Sequence, residues 1–189
     1  MPTPERTSLE EIVRAARDLL ESSGHEGLTM QAVAHRVGVR APSLYKRVRN
    51  RGDLVALVAD ATLRELGARV EAAATHADDD PRLALARLVR AGRDFARERP
   101  AGFRLILAPG TDLRLDPASL EAASAPVLRV AARLAGEERV LDAARTFTAW
   151  ATGFVSMELA GAFRLGGEVE RAFEFGLDRL CHALAIPAS

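Results

Sequence analysis

A single cysteine, Cys181, leaves no partner for an internal disulfide and no cysteine cluster for a metal. Aromatic residues are scarce as well. One Trp, one Tyr and seven Phe make up 5% of 189 residues, too few for a sheet-rich core. No long hydrophobic run is present. The longest uncharged apolar stretch, around 146–157, is broken by Thr and Gly and falls short of the roughly 20 residues a spanning helix needs, so no membrane segment is expected. The opening MPTPERTSLEE carries early acids and no apolar core, unlike a secretory signal, so a cytoplasmic location is expected. Lysine occurs once, against 25 arginines, which reads most simply as an arginine-rich coding bias. The four His (25, 35, 76 and 182) show no ligand spacing. H-E-x-x-H, G-x-S-x-G, G-x-G-x-x-G and the phosphate-binding P-loop are all missing. No enzyme, metal or cofactor is therefore expected.

What the chain does contain is 36 alanines and 25 leucines, a composition for helices. An all-α protein follows. Net charge is zero, yet Arg36, Arg40, Lys46, Arg47, Arg49 and Arg51 fall within sixteen residues that hold no acid, leaving the remainder net acidic by six. Such a local basic cluster fits either a solvated face or a small nucleic-acid contact surface.

Helical punctuation divides the chain into about nine helices. Ser8 and Glu11 form a capping box ahead of Leu9, Ile12, Val13, Ala16, Leu19 and Leu20, which predicts helix one over 8–23, stopped by Gly24. Thr29 caps a short second helix that Gly38 ends. Pro42 opens a short third helix, and Asn50, with Asp53 three residues on, caps a fourth that runs to about 74. The polar stretch Thr75–Pro81 reads as a loop, and its three Asp read as solvated, with a metal site as the alternative. Further helices are predicted over 81–98, 101–108, 117–135 (with Pro126 as a kink), 138–164 and 168–185. An irregular connection is predicted to begin at Pro109–Asp112.

Two short helices joined by a Gly-containing turn, behind a longer packing helix, make a helix-turn-helix whose second member enters the major groove. The basic run falls on this pair and its flanks. The residues Leu28-Thr29-Met30-Gln31-Ala32-Val33-Ala34, Val37-Gly38-Val39, Ala41-Pro42-Ser43-Leu44-Tyr45-Lys46-Arg47-Val48 and Asn50-Arg51-Gly52-Asp53-Leu54 closely resemble the DNA-binding domain of the TetR family of transcriptional regulators. Val48 stands where the family usually has an aromatic. The segment Ala149–Leu159 around Trp150 looks like a C-terminal class marked by a Trp-His-Gly element, here without its His.

The resemblance implies a DNA-binding domain over 1–56 and a helical ligand-binding and dimerisation domain over 57–189. It implies phosphate contacts from Thr29, Tyr45, Lys46 and Arg51. Gln31, Arg40, Ala41, Pro42, Ser43 and Arg47 would meet base edges or adjoining phosphates. Lys and Arg supply charge and Tyr a hydroxyl, whereas Gln or Arg can bond a purine through two atoms. The last two helices would form a dimer interface, with an effector cavity lined by Phe95, Phe103, Leu107, Trp150, Phe154 and Met157. Glu158, on the apolar side of the eighth helix, would recognise a cationic inducer or pair with an Arg of a neighbouring helix. The function implied is a homodimeric repressor released from a palindromic operator in double-stranded DNA by a small molecule. An all-α module whose basic 36–51 patch binds an acidic protein is the alternative.

Overall fold

The computed structural model describes residues 8–75, 80–107 and 113–185. Among them every regular element is helical: α1 (Leu9–Gly27), α2 (Met30–Arg36), α3 (Ala41–Leu44), α4 (Arg51–Thr75), α5 (Pro81–Glu98), α6 (Pro100–Leu107), α7 (Pro117–Ala135), α8 (Val140–Leu159) and α9 (Val169–Leu184), with one 3-10 turn at Glu137–Arg139. Asp78 and Asp79 of the Thr75–Pro81 loop, and the start of the 109–112 connection, lie outside the described residues.

The chain forms two compact units, and they are not contiguous in sequence. Residues up to Leu63 join Arg99–Ser119 in one; Arg64–Glu98 and the chain from Leu120 onward form the other.

In the first unit the local signals work as the physics of helix ends requires. The Ser8 hydroxyl accepts the Glu11 N–H at 3.1 Å and the Glu11 carboxylate accepts the Ser8 N–H at 2.9 Å. Gly24, at φ 69°, breaks α1 where the sequence expects its end. Thr29 Oγ1 accepts the Ala32 N–H at 3.1 Å, and Asn50 Oδ1 accepts the Asp53 N–H at 2.9 Å. Gly38 takes φ 71° in the turn between α2 and α3, a conformation that costs glycine little. Ile12, Leu20, Leu28, Val33, Leu44, Val48, Leu54 and Val58 make one buried cluster, which Leu105 of α6 joins. Regular helix in α3 lasts a single turn. It gives way to turn geometry from Tyr45 on, while Arg47 and Val48 still donate to the Leu44 carbonyl at 2.8 and 2.9 Å.

α6 belongs to this unit through a contact of long sequence range. Arg99 has no side chain able to cap it, and the Glu21 carboxylate of α1 does so instead, accepting from Ala101 N at 3.0 Å and Gly102 N at 2.8 Å. A Cβ at residue 102 would stand 3.1 Å from both Glu21 Oε1 and Thr62 Cγ2, so glycine lets the carboxylate in.

The second unit packs Leu85, Leu88, Leu134, Phe147, Phe173, Leu177 and Cys181 into its core. α8 stops at Leu159, five residues before its predicted end. Gly161 (φ 62°) donates to Glu158 O at 2.9 Å and Ala162 donates to Met157 O at 2.9 Å, a left-handed cap that closes the helix. Gly161 thus serves as the stop of the helix.

Candidate nucleic-acid interface

Leu44 and Val48, both buried, anchor α3 to the core and leave its remaining side chains to solvent. Pro42, Ser43, Lys46 and Arg47 are exposed, Tyr45 is 53% exposed, and Ala41 is half-buried. Arg40 occupies the N-cap of α3, exposed and without a side-chain capping bond. On α2, Thr29 and Gln31 are exposed as well. Because the Thr29 oxygen accepts from Ala32, its O–H proton remains available to donate outward. Thr29 and Gln31 line an open concavity of about 450 Å3 together with Leu19, Ala32, His35 and Arg36. His35 and Arg36 are not among the sequence candidates, although Arg36 opens the acid-free basic run.

Arg51 differs from the rest. Half-buried, it donates through Nε to the Leu28 carbonyl at 2.7 Å and through Nη2 to the His25 carbonyl. Its guanidinium thus braces α4 against the end of α1. Arg49 forms a two-point pair with Asp53 at 2.6 and 3.2 Å. The side chains of Arg36, Arg40 and Lys46 make no ion pair or hydrogen bond with any described residue.

The effector candidates are divided between the two units. Phe103, buried, and Leu107, exposed, sit on α6 in the first unit, whereas Phe95, Trp150, Phe154, Met157 and Glu158 belong to the second. Phe95 is fully buried under the Arg69 guanidinium, 5.3 Å from its ring centroid. Trp150 lies so close over Gly176 that a Cβ there would stand 2.5 Å from its ring, and it stacks on Phe173 with centroids 5.5 Å apart. Phe154 meets Phe173 at 5.3 Å and Phe163 at 4.7 Å. Met157 is 48% exposed.

Glu158 is paired. Arg93 of α5, 3% exposed, grips it through Nε and Nη2 at 2.8 Å each, and Arg97 adds a bond at 2.7 Å. Arg93 also reaches Glu170 at 2.9 Å and lies 3.9 Å from the Phe173 ring centroid. The Arg93 bond pulls the Glu158 carboxyl below its ordinary pKa, against burial, with Arg97 assisting. Glu170 is lowered in the same way. Desolvation works against the Arg93 cation, yet its bonds to the two carboxylates carry its pKa above the ordinary value. Arg90 and Glu174 make a further pair that lowers the Glu174 carboxyl.

No helix among the described residues is long and apolar enough to cross a membrane, and none of their His, Cys, Asp and Glu side chains cluster in a group that could hold a metal.

Comparisons with known proteins agree with this geometry. The family description "Bacterial regulatory proteins, tetR family" matches residues 5–58, and "Tetracyclin repressor-like, C-terminal domain" matches residues 85–180. The class A tetracycline repressor protein of transposon 1721 from Escherichia coli is 34% identical over 166 residues, 85% of this chain and 73% of the relative. An uncharacterized HTH-type transcriptional regulator of Mycobacterium tuberculosis is 30% identical over 162 residues, 84% and 73% of the two chains. Among solved structures, Mycobacterium smegmatis BioQ superposes with a TM-score of 0.69 at 27% identity, covering 95% of this chain and 98% of its own. For the fold alone, a TetR variant from Acinetobacter baumannii AYE in complex with minocycline gives 0.70 at 24% identity, over 94% and 96%. The reading as a docking module for an acidic protein finds no support beside these matches. With a helix-turn-helix whose basic side chains face outward and family matches across both parts of the chain, this protein belongs to the TetR family of DNA-binding transcriptional regulators.

Proposed function

We propose that the chain acts in the cytoplasm as a homodimeric repressor that leaves a palindromic operator when a small molecule binds. Its DNA-binding domain spans 1–56 and its ligand-binding and dimerisation domain 57–189. The observation that supports this most is the uncommitted positive charge of Arg40 and Lys46 around α3, beside exposed Ser43 and Tyr45. Thr29, Tyr45 and Lys46 hold phosphates, while Gln31, Arg40, Ala41, Pro42, Ser43 and Arg47 face base edges or the phosphates beside them. Ala41 and Pro42 offer only apolar contact, for instance to a thymine methyl. Arg51 contributes chiefly as a brace, since two of its nitrogens are already bonded to backbone.

One helix-turn-helix reads few base pairs, and exposed Leu141, Met157 and Phe175 on α8 and α9 leave apolar surface for a second copy. Trp150 and Phe154 are the core of the effector site; the A. baumannii variant that holds minocycline supports small-molecule control. A ligand of equal affinity for both states shifts nothing, so the effector must prefer a dimer whose reading helices no longer match the groove spacing. α4 contributes residues to both units and is the lever. The test is a gel shift of the chain's own promoter fragment against an unrelated fragment, with light scattering on the free protein. Selective retardation and twice the 20.3 kDa chain mass are expected. Equal retardation of both fragments, or a mass of one chain at micromolar concentration, contradicts the reading.

A further inference from the structure

The concavity on α2 has a composition that α3 alone does not explain. Its floor is apolar, from Leu19 and Ala32, and its rim carries the Thr29 hydroxyl, the Gln31 amide, the His35 ring and the Arg36 guanidinium. Every polar side chain on that rim can donate a hydrogen bond, and no carboxylate lines it. Gln31 and His35 are four residues apart on α2, and Ala32 and Arg36 likewise, so the rim runs the length of the helix on one side. His35 and Arg36 are exposed, and Arg36 has no acid or carbonyl partner among the described residues. Elsewhere in the chain, Arg69, Arg90, Arg93, Arg97 and Arg129 are each bonded to a glutamate. An exposed guanidinium with no partner, on a rim of donors without a carboxylate beside residues that face DNA, has the chemistry of a seat for a phosphodiester.

We infer that Arg36 and His35, beside Thr29, form a second seat for a backbone phosphate of duplex DNA, carried by α2 and separate from the α3 contacts. The inference rests on the DNA-binding reading above and adds residues to it. In a helix-turn-helix the first helix of the pair crosses the backbone, and a seat along its length lengthens the phosphate track without adding sequence preference. Arg36 acts as a charge at a distance from the bases, so lysine can replace it in kind.

The experiment measures affinity against salt concentration for the wild type, Arg36→Ala, Arg36→Lys and His35→Ala, on the own-promoter fragment and on a mixed-sequence duplex. Neutralising one phosphate contact per subunit lowers the slope of log affinity against log salt by about 2 per dimer. Arg36→Ala should show that fall on both duplexes, with affinity reduced by the same factor on each, and Arg36→Lys should restore the slope. His35→Ala should weaken both duplexes equally. The result is overturned if Arg36→Ala keeps the wild-type slope, or changes preference at one base while the slope stands. Should the wild type retain neither duplex, the DNA-binding reading falls with it; a wild type that binds DNA normally beside an unaffected Arg36→Ala removes only this seat.

Discussion

Arginine is put to opposite uses in the two units. Around α2 and α3, Arg36 and Arg40, like Lys46, carry charge that no described residue neutralises. Along α5, Arg90, Arg93 and Arg97 are matched by Glu174, Glu170 and Glu158. The difference lies in where the acids are. Residues 36–51 contain none, whereas α9 places Glu170 and Glu174 four apart, on one side of a helix facing three arginines spaced by three and four. Charge left open is available to an outside polyanion; charge closed by carboxylates fixes helices to one another. A residue type by itself therefore says little about role, and its neighbours decide it.

Removing a closed arginine should do the greatest damage. Arg93→Ala strands Glu158, only 16% exposed, without its main partner and strips the cation from the Phe173 face, so stability should fall by roughly 3–5 kcal/mol in urea unfolding. Arg40→Ala should stay within about 0.5 kcal/mol of wild type in the same assay, because nothing in the fold depends on that side chain. Equal losses from the two would erase the contrast.

Acid should act on the same side of it. The Glu158, Glu170 and Glu174 carboxyls are held below their ordinary pKa by Arg93 and Arg90. A carboxyl lowered on folding adds stability above its unfolded pKa, about 4.3, and gives it up as pH falls through the folded value. Denaturation midpoints should thus hold near neutrality and drop below the ordinary carboxylate range, with Glu170, 59% exposed, adding least. Glu158→Gln should flatten the drop; an unchanged pH profile in that variant would show that these pairs contribute nothing.

Smaller effects belong to the open side. Gln31→Ala and Ser43→Ala should relax sequence preference, by roughly 1–3 kcal/mol where a two-point base contact is lost. Lys46→Ala should weaken every duplex alike and reduce the salt slope by about 2 per dimer. The reverse pattern would exchange these roles. The two units should also be coupled by about 1–3 kcal/mol, so a compound that relieves repression in cells should lower operator affinity some 5- to 150-fold. Operator must then weaken that compound's binding by the same factor. Trp150, the only tryptophan, reports it by fluorescence, and identical affinities with and without operator would refute the coupling.

The parts of this molecule readable in advance are those whose partners lie close in the chain. Ser8 with Glu11, Thr29 with Ala32 and Asn50 with Asp53 each bond across three residues, and they mark the helix starts of the DNA-reading half. What escaped was made at long range. The Glu21 cap that ties α6 to α1 spans 80 residues, so nothing near either partner announces it. Arg93 meets Glu158 across 65 residues and Glu170 across 77. Phe103 and Leu107 fall in a different unit from Trp150, and the same Glu21 contact joins the helix that carries them to α1. The stop at Gly161 was hard to read for another reason: a glycine's size and its left-handed backbone look alike in a sequence, and the second ends α8.

The most direct test of the account is to let the purified dimer select fragments from genomic DNA and to sequence what it keeps. Open charge on two symmetry-related reading helices predicts an inverted repeat, with half-sites about 34–36 Å apart or a little more. Selected fragments that share a single half-site without a mate, or share no sequence at all, would contradict it.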